Sequence, residues 1–160
     1  MAALRALLVN MGYTDVTTLL NSGNAVFSAA KGAPALHAGA IAAAVERELD
    51  VAVPVVVKSA SELAGIVDGN PLAAGAFDPS RLLVAYVQDE ESLSSLATVA
   101  RLIVPPERFV IGKKAAYLHC PNGILGSRAG NALLGTGGTM ATTRNWSTTL
   151  KQNALANRQA

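Results

Sequence analysis

The stretch that decides the fold of this chain reads RLLVAYVQDEE and spans residues 81–91. Its first eight residues are apolar on both faces, which predicts an interior strand that is covered on both sides. Asp89, Glu90 and Glu91 follow directly, and carboxylates are favourable at a helix N-terminus because they face its exposed N–H groups. A catalytic acid cluster is the alternative for these three residues, and capping is the interpretation we favour. The stretch therefore predicts a strand followed by a helix that extends to about residue 102.

The chain after this helix continues the pattern of a small α+β unit. Its predicted elements are a hairpin of strands 108–111 and 114–120, a turn at 121–123, a helix to about residue 134 and a short strand at 139–141. Thr142 or Thr143 is expected to cap a last helix that begins near Arg144. The order β-α-β-β-α, with the short strand after it, is that of a ferredoxin-like unit.

The first half of the chain repeats this rhythm. Its predicted elements are a helix with an apolar face from Leu4 to Met11, strands at 16–20 and 25–28, a helix at 36–49, a strand at 53–57 and a short helix to about residue 67. This order is the same unit without its first strand. We therefore predict an α+β fold with two ferredoxin-like α/β subdomains in tandem. The first spans residues 1–70 and is truncated, the second spans 81–160 with the C-terminal helix, and residues 71–80 link them.

The composition is that of a globular protein. Of the 160 residues, 51% are hydrophobic and 15% are charged, which excludes a disordered, collagen-like or coiled-coil chain. One cysteine and two histidines are too few for a disulfide framework or a dedicated zinc site, so we expect no metal and no cofactor. Because no apolar run is long enough to span a membrane and no signal-peptide pattern opens the chain, we expect a soluble cytoplasmic protein without a membrane partner.

The charges are distributed unevenly along the chain. Residues 1–91 carry 5 basic and 10 acidic side chains, whereas residues 92–160 carry 8 basic side chains and a single acid, Glu107. Such a split indicates an anionic partner for the second half. The alternative is that these lysines and arginines only solvate the surface, and the missing acids are the one unusual feature.

Two local patterns carry weaker functional hypotheses. His119 and Cys120 are adjacent on a predicted strand, so their side chains point to opposite faces and cannot form a catalytic pair with each other. The glycine-rich loop at 135–138 resembles a phosphate cradle made of backbone N–H groups. It lacks a complete nucleotide-binding motif, so we favour a plain linker.

The last helix offers a basic stripe. Arg144, Lys151 and Arg158 are seven residues apart, which places them along one helix face. Trp146 lies on a roughly opposite face and is expected to pack in the core. The alternative is an amphipathic helix whose basic side is merely solvated.

Three strings of residues are distinctive when taken together. They are NSGNAVF at 21–27, PNG at 121–123 with Ser127 and Arg128, and TTRNW at 142–146. In this order they resemble the bacterial family called domain of unknown function 1697, and the resemblance covers nearly the whole chain. It implies two ferredoxin-like α+β units in tandem and no reaction, because the activity of the family is unknown. The positions that it marks are Asn21, Ser22, Gly23, Asn24, Tyr117, Asn122, Gly123, Ser127, Arg128, Arg144, Asn145 and Trp146.

The chain departs from that family at its N-terminus. Family members typically begin with a strand and a turn, whereas this chain opens directly on the first helix. Without the strand, its neighbours would expose backbone N–H and C=O groups along an open edge, and open edges recruit other strands. We therefore expect a homodimer that covers this edge, with a marginal, aggregation-prone monomer as the alternative.

The sequence favours a binding module for a phosphate-bearing ligand, either a nucleotide or the backbone of a nucleic acid. The candidate anion-binding residues are Lys113, Lys114, Arg128, Arg144, Asn145 and Lys151. Because aromatic residues make up only 4% of the chain, nucleic-acid binding would be weak and tolerant of sequence. An enzyme acting on a small phosphorylated or carboxylated metabolite is the alternative, and a structural or self-associating protein is a second. Whether the protein is an enzyme stays open, since no catalytic residue stands out.

Overall fold

The computed structural model describes residues 2–20, 23–75, 78–136 and 141–159 as a mixed α/β protein with two antiparallel sheets. The helices are α1 Ala2–Asn10, α2 Pro34–Leu49, α3 Ala60–Asp68, α4 Glu90–Ser95, α5 Arg128–Asn131 and α6 Trp146–Gln159. The strands are β1 Thr14–Leu19, β2 Asn24–Ser28, β3 Leu82–Tyr86, β4 Arg108–Ile111, β5 Ala115–His119 and β6 Thr142–Asn145. Short 3₁₀ segments lie at Pro79–Arg81 and Leu96–Leu102, and a π-helical turn follows α5 at Ala132–Thr136.

Backbone contacts divide the chain into two compact units. The first unit consists of Met1–Ala60 with Lys151–Ala160, and the second consists of Ser61–Leu150. The division predicted from the sequence stays a prediction: two domains at 1–70 and 81–160, with a linker at 71–80. The compact units divide the chain elsewhere because Ile66 of α3 bonds to Tyr117 of β5, whereas Gln152, near the middle of α6, bonds to Asn24 of β2.

The first unit packs two helices on a hairpin. Strands β1 and β2 pair antiparallel, with Leu19 opposite Asn24 and Thr14 opposite Ser28. The predicted helices at its start and at 36–49 and the two predicted strands are confirmed. Its core consists of side chains from α1, β1 and α2: Leu7, Leu8, Val16, Ile41, Ala44 and Val45.

The prediction of a strand at 53–57 is wrong. Residues 51–59 have no helix or strand, so the sheet of the first unit has two strands among the described residues. Pro54 has no N–H group to donate to a ladder, which weakens any pairing of this segment. Without this strand, the structure does not establish a first ferredoxin-like subdomain.

The second unit is built around β3, which is buried at each of its positions. The strand order is β4-β5-β3-β6 and all neighbours are antiparallel. The prediction of an interior strand is confirmed, and so is the hairpin of β4 and β5. Asp89 caps α4 by accepting a hydrogen bond from the Ser92 N–H at 2.7 Å, which confirms capping as its role. One face of the sheet packs under helices in a core that includes Leu83, Ala85, Leu96, Leu118, Cys120 and Leu133.

The prediction for the start of the last helix is wrong. Thr142–Asn145 forms β6 instead of a cap and a first turn, because the β-branched threonines pair with β3 at Tyr86 and Ala85. Helix α6 begins at Trp146, and Asn145 caps it by accepting from the Thr148 N–H at 2.9 Å. Of the short strand predicted at 139–141, only Ala141 is described, and it lies outside β6.

None of the helices in the described ranges is both long and apolar enough to cross a membrane.

The turn between β4 and β5 approaches an aromatic ring closely. A Cβ on Gly112 would lie 2.9 Å from Cε2 of Tyr117 and 3.1 Å from the Ala115 carbonyl oxygen. We therefore expect Gly112→Ala to lower the free energy of unfolding by about 1–3 kcal/mol, since overpacking forces the backbone or the ring to move. Urea unfolding followed by circular dichroism measures this change.

Gly65→Ala is the matched control in the same unit. Gly65 lies within α3, and a Cβ there would meet nothing within 4 Å. Replacing a helical glycine by alanine should raise stability by up to about 1 kcal/mol. Equal stability of Gly112→Ala and the unmodified protein would contradict the close approach.

Candidate functional site

The strand register of the second unit defines two ends of its sheet. At one end Tyr86 is opposite both Ala115 and Thr142, and the turn of residues 112–114 comes next to Ala115. We call this the Tyr86 end. At the opposite end, which we call the His119 end, Leu82 is opposite His119 and the strands lead into residues 120–123 and α6. Four residues of extended strand separate these ends, which corresponds to about 13 Å.

Arg144 lies on β6 and its guanidinium is directed back along that strand. Nη1 donates to Oγ1 of Thr142 at 3.1 Å and to the backbone carbonyl of Thr143 at 2.6 Å. Because Thr142 is at the Tyr86 end, the charge of Arg144 is carried toward that end and away from the start of α6. The guanidinium is therefore directed away from the N-terminus of α6, where the helix dipole favours an anion.

Lys113 and Lys114 form the turn between β4 and β5 at the same end. The turn is closed by the Gly112 N–H, which donates to the Ala115 carbonyl at 2.8 Å. Both lysines are exposed, and neither forms an ion pair within the described ranges. The structure thus brings three of the candidate cations, Lys113, Lys114 and Arg144, to one end of one sheet.

Two buried tyrosines support this end of the sheet. The Tyr86 hydroxyl bonds to Oγ1 of Thr149 on α6 at 2.7 Å, and the Tyr117 hydroxyl donates to the Ile66 carbonyl on α3 at 2.7 Å. Burial raises the pKa of Tyr86 to about 12, although the hydrogen bond to Thr149 and the charge of Arg144 act in the other direction. Burial also raises the pKa of Tyr117 to about 12. Both phenols are therefore neutral around pH 7.

The partial burial of Arg144 also affects its own titration. Burial lowers the pKa of Arg144 from its ordinary value, and the nearby Tyr86 acts in the opposite direction. An arginine is nevertheless a cation at any ordinary pH. The sequence adds that no Asp or Glu occurs from residue 108 to residue 160. The Tyr86 end can consequently attract an anion and offer it a guanidinium in a partly desolvated position.

Other candidates lie toward the His119 end, and two of them, Ser127 and Gly123, have structural roles there. Ser127 is buried and caps α5 by accepting from the Gly130 N–H at 3.0 Å. Gly123 has a φ of +92°, which the turn after β5 requires. Asn122 and Arg128 are exposed, and they are separated from the lysine turn by the length of the strands.

The start of α6 places two more of the predicted residues. Asn145 is committed to capping this helix, and Trp146, the first helical residue, is half-buried and thus only partly in the core. The predicted basic stripe loses Arg144 to β6, so only Lys151 and Arg158 remain on the helix. Lys151 is exposed and belongs to the first compact unit.

The first unit contains the remaining predicted residues. Asn24 is buried, its Nδ2 donates to the Leu19 carbonyl at 3.2 Å, and its Oδ1 accepts from Nε2 of Gln152 at 3.0 Å. Gly23 precedes it with a φ of +76°. Asn21 and Ser22 lie outside the described residues. The described part of the string NSGNAVF at 21–27 therefore forms the turn end of the β1–β2 hairpin, and Asn24 joins this hairpin to α6 through its hydrogen bond with Gln152.

Sequence reasoning missed the hydroxyl groups at the Tyr86 end. Tyr86 lies within an apolar strand, and Thr149 lies 63 residues further along the chain, so no local pattern joins them. In contrast, the prediction that His119 and Cys120 point to opposite faces is confirmed. Leu118 and Cys120 both lie in the helix-covered core. Because successive side chains of a strand alternate between its two faces, His119 between them is on the other face. The described residues contain no group of three His, Cys, Asp or Glu side chains that could hold a metal ion.

Comparison with known proteins gives a family and a related structure. The model of a family described as protein of unknown function (DUF1697) matches residues 1–117. A solved structure of a conserved bacterial protein from Streptococcus pneumoniae is similar, with a TM-score of 0.72 and 22% identity over 98% of this chain and 88% of that chain. At this identity the similarity concerns the fold alone. None of the curated proteins compared with the chain matches it.

The raised pKa values of the tyrosines predict a loss of stability in alkali. The neutral phenol is favoured in the folded protein, whereas an unfolded tyrosine ionises near its ordinary pKa of 10. The stabilisation is therefore fully present below about pH 10 and is lost as the pH rises toward about 12. One such tyrosine changes the free energy of unfolding by at most about 1.4 kcal/mol per pH unit in this window.

Tyr86→Phe tests this dependence, because phenylalanine keeps the ring and removes the ionisable group. Urea unfolding at a series of pH values from neutral to alkaline should give a shallower alkaline decline for the variant than for the unmodified protein. Identical declines would show that Tyr86 ionises equally well in the folded and unfolded states.

Proposed function

This chain belongs to the DUF1697 family of proteins of unknown function, and we propose that it is a binding module for a phosphate-bearing ligand. The ligand is a nucleotide or a nucleic-acid backbone, and it binds at the Tyr86 end of the second unit. One observation carries the proposal. The guanidinium of Arg144 is tethered to Thr142 at the end of the sheet where the β4–β5 turn presents Lys113 and Lys114.

The chemistry of these three cations suits phosphate. A guanidinium has planar N–H donors that match phosphate oxygens, and a lysine ammonium adds a flexible point charge. Because Arg144 is already held by its bonds to Thr142 and Thr143, less side-chain freedom is lost when an anion binds. The lack of acids after residue 107 favours the approach of an anion to this half of the chain.

The proposed site is smaller than the set of candidates taken from the sequence. Arg128 begins α5 and Asn145 ends β6, both toward the His119 end, and Lys151 belongs to the first unit. The Oδ1 of Asn145 is already engaged in its capping bond to the Thr148 N–H. The proposal therefore rests on Lys113, Lys114 and Arg144 alone.

An enzyme acting on a small phosphorylated or carboxylated metabolite is supported less well. Such an enzyme would need an acid or base with a pKa near the working pH close to these cations. The titratable hydroxyls at this end are Tyr86 and Tyr117, and burial raises the pKa of each to about 12. A neutral phenol of this kind can donate a hydrogen bond to a ligand but is a poor general base.

We also propose that the second unit is a ferredoxin-like unit. The second unit has the element order β-α-β-β-α-β, which is the order of a ferredoxin-like motif. The first unit contributes a hairpin and two long helices. A tandem of two ferredoxin-like units remains the arrangement we propose for the family.

Removing the charge of Arg144 should weaken phosphate binding. We expect Arg144→Gln to reduce the affinity for a labelled oligothymidylate at low salt by about tenfold or more, since a charge-assisted hydrogen bond contributes about 1.5–3 kcal/mol. The affinity of Arg144→Lys should lie between those of the unmodified protein and Arg144→Gln. Fluorescence anisotropy measures the affinity, and circular dichroism verifies that each variant is folded.

Arg101→Gln is the matched control. Arg101 is an exposed arginine of the same unit, located in the 3₁₀ segment after α4. Its loss should leave the affinity nearly unchanged at a fixed ionic strength. Equal affinities of folded Arg144→Gln and Arg101→Gln would remove the basis of the proposed site.

A further inference from the structure

We propose that the ligand at the Tyr86 end is a chain of phosphates, of which at least two bind at once, and that it is recognised without contact to a base. This inference rests on the proposed function and specifies the ligand class. Two features of the second unit support it: the spacing of the three cations across the sheet, and the positions of the aromatic rings.

The spacing of the cations follows from the strand order. The lysine turn ends at β5 and Arg144 lies on β6, with β3 between them. Two strand spacings therefore separate the lysine turn from Arg144, which corresponds to about 10 Å. Along one nucleic-acid strand a phosphate charge occurs about every 3.4 Å of helix axis. A row of this length is thus matched by more than one phosphate, while a single phosphate would meet only one side of it.

The backbone is held in place on both sides of this row, and at Arg144 the charged group is held as well. Nη1 of Arg144 makes two hydrogen bonds to its own strand. On the other side, the ring of Tyr117 packs against Gly112, and its hydroxyl donates to the Ile66 carbonyl. The backbone of the lysine turn is therefore fixed against α3. A spacing that both anchors maintain selects an extended ligand more strongly than a compact one.

Within the described part of the second unit, no aromatic ring at this end is exposed to a base. Among the described residues of the second unit, Tyr86 is 6% exposed and Tyr117 is 2% exposed. Phe109 packs against the helix-covered core, and Trp146 follows Asn145 at the His119 end. Proteins that bind bases of single strands stack them on exposed aromatic rings. Binding at the Tyr86 end is accordingly carried by phosphates.

The number of engaged phosphates can be measured from the salt dependence of binding. For a single-stranded oligothymidylate, each neutralised phosphate contributes about −0.7 to the slope of log K against log salt. With three cations engaged we expect a slope of about −2. Lys113→Gln, Lys114→Gln and Arg144→Gln should each make the slope shallower by about 0.7, and Arg101→Gln should leave it unchanged. A slope of about −0.7 for the unmodified protein would overturn the inference, since it corresponds to a single phosphate.

The role of the bases is tested with an abasic oligomer of the same length. We expect it to bind within about twofold of the oligothymidylate, whereas loss of a stacked base would weaken binding by about fivefold or more. A loss of that size would overturn the inference and leave the proposed function intact. If neither oligomer, nor inorganic polyphosphate, nor a nucleoside triphosphate binds at low salt, the proposed function itself fails.

Inorganic polyphosphate distinguishes two sources of the same chemistry. Displacement of the labelled oligomer by polyphosphate, and not by inorganic phosphate at an equal phosphate concentration, supports a ligand defined only by its chain of phosphates. Equal displacement by both compounds overturns the requirement for more than one phosphate. If the abasic oligomer displaces the labelled oligomer and polyphosphate does not, the ligand is a sugar-phosphate backbone, which supports the inference.

Discussion

The burial of β3 between β5 and β6 is the constraint on which the second unit depends. All five residues of β3 are buried, and both of its edges are paired. Strands β5 and β6 must therefore lie on either side of it, with Ala115 and Thr142 both opposite Tyr86. This pairing sets the turn of Lys113 and Lys114 and the strand of Arg144 at a fixed separation. The positions of the charges are thus a consequence of how the backbone of an apolar strand is satisfied.

The sequence predicted those elements whose cause is local. An apolar run predicts β3, because only a doubly covered strand buries six successive apolar residues. A carboxylate after a strand predicts the cap at Asp89, since the contact to Ser92 N–H spans three residues. The β4–β5 hairpin follows from two short apolar segments around Gly112. For the candidate site, the same local reasoning identified Lys113, Lys114 and Arg144 as separate cations.

The relation between these cations depends on pairing that local patterns do not contain. Thr142 and Thr143 are compatible with a helix cap or with a strand. They form a strand because they pair with the edge of β3 that β5 leaves open. In a helix, Arg144 would have continued the stripe of Lys151; in β6 it reaches Thr142 instead. The error at 53–57 has the opposite cause, because valines favour a strand but Pro54 cannot complete a ladder. Asn145 was correctly expected near the helix start, and its Oδ1 accepts the capping hydrogen bond from the Thr148 N–H.

The partly buried position of Arg144 has a free-energy cost. Its neighbours across the sheet on the same face are apolar or aromatic, with Val84 directly opposite and Tyr86 beside it. Moving a guanidinium out of water costs free energy, and a well-packed apolar side chain at such a position is often equally or more stabilising. The bonds to Thr142 and Thr143 offset part of this cost by satisfying donors. An apolar residue on β6 would satisfy the packing of this face without desolvating a charge, so packing alone does not account for a cation here. The proposed phosphate ligand would account for it, because a partly desolvated and tethered guanidinium attracts phosphate more strongly than one in free solution.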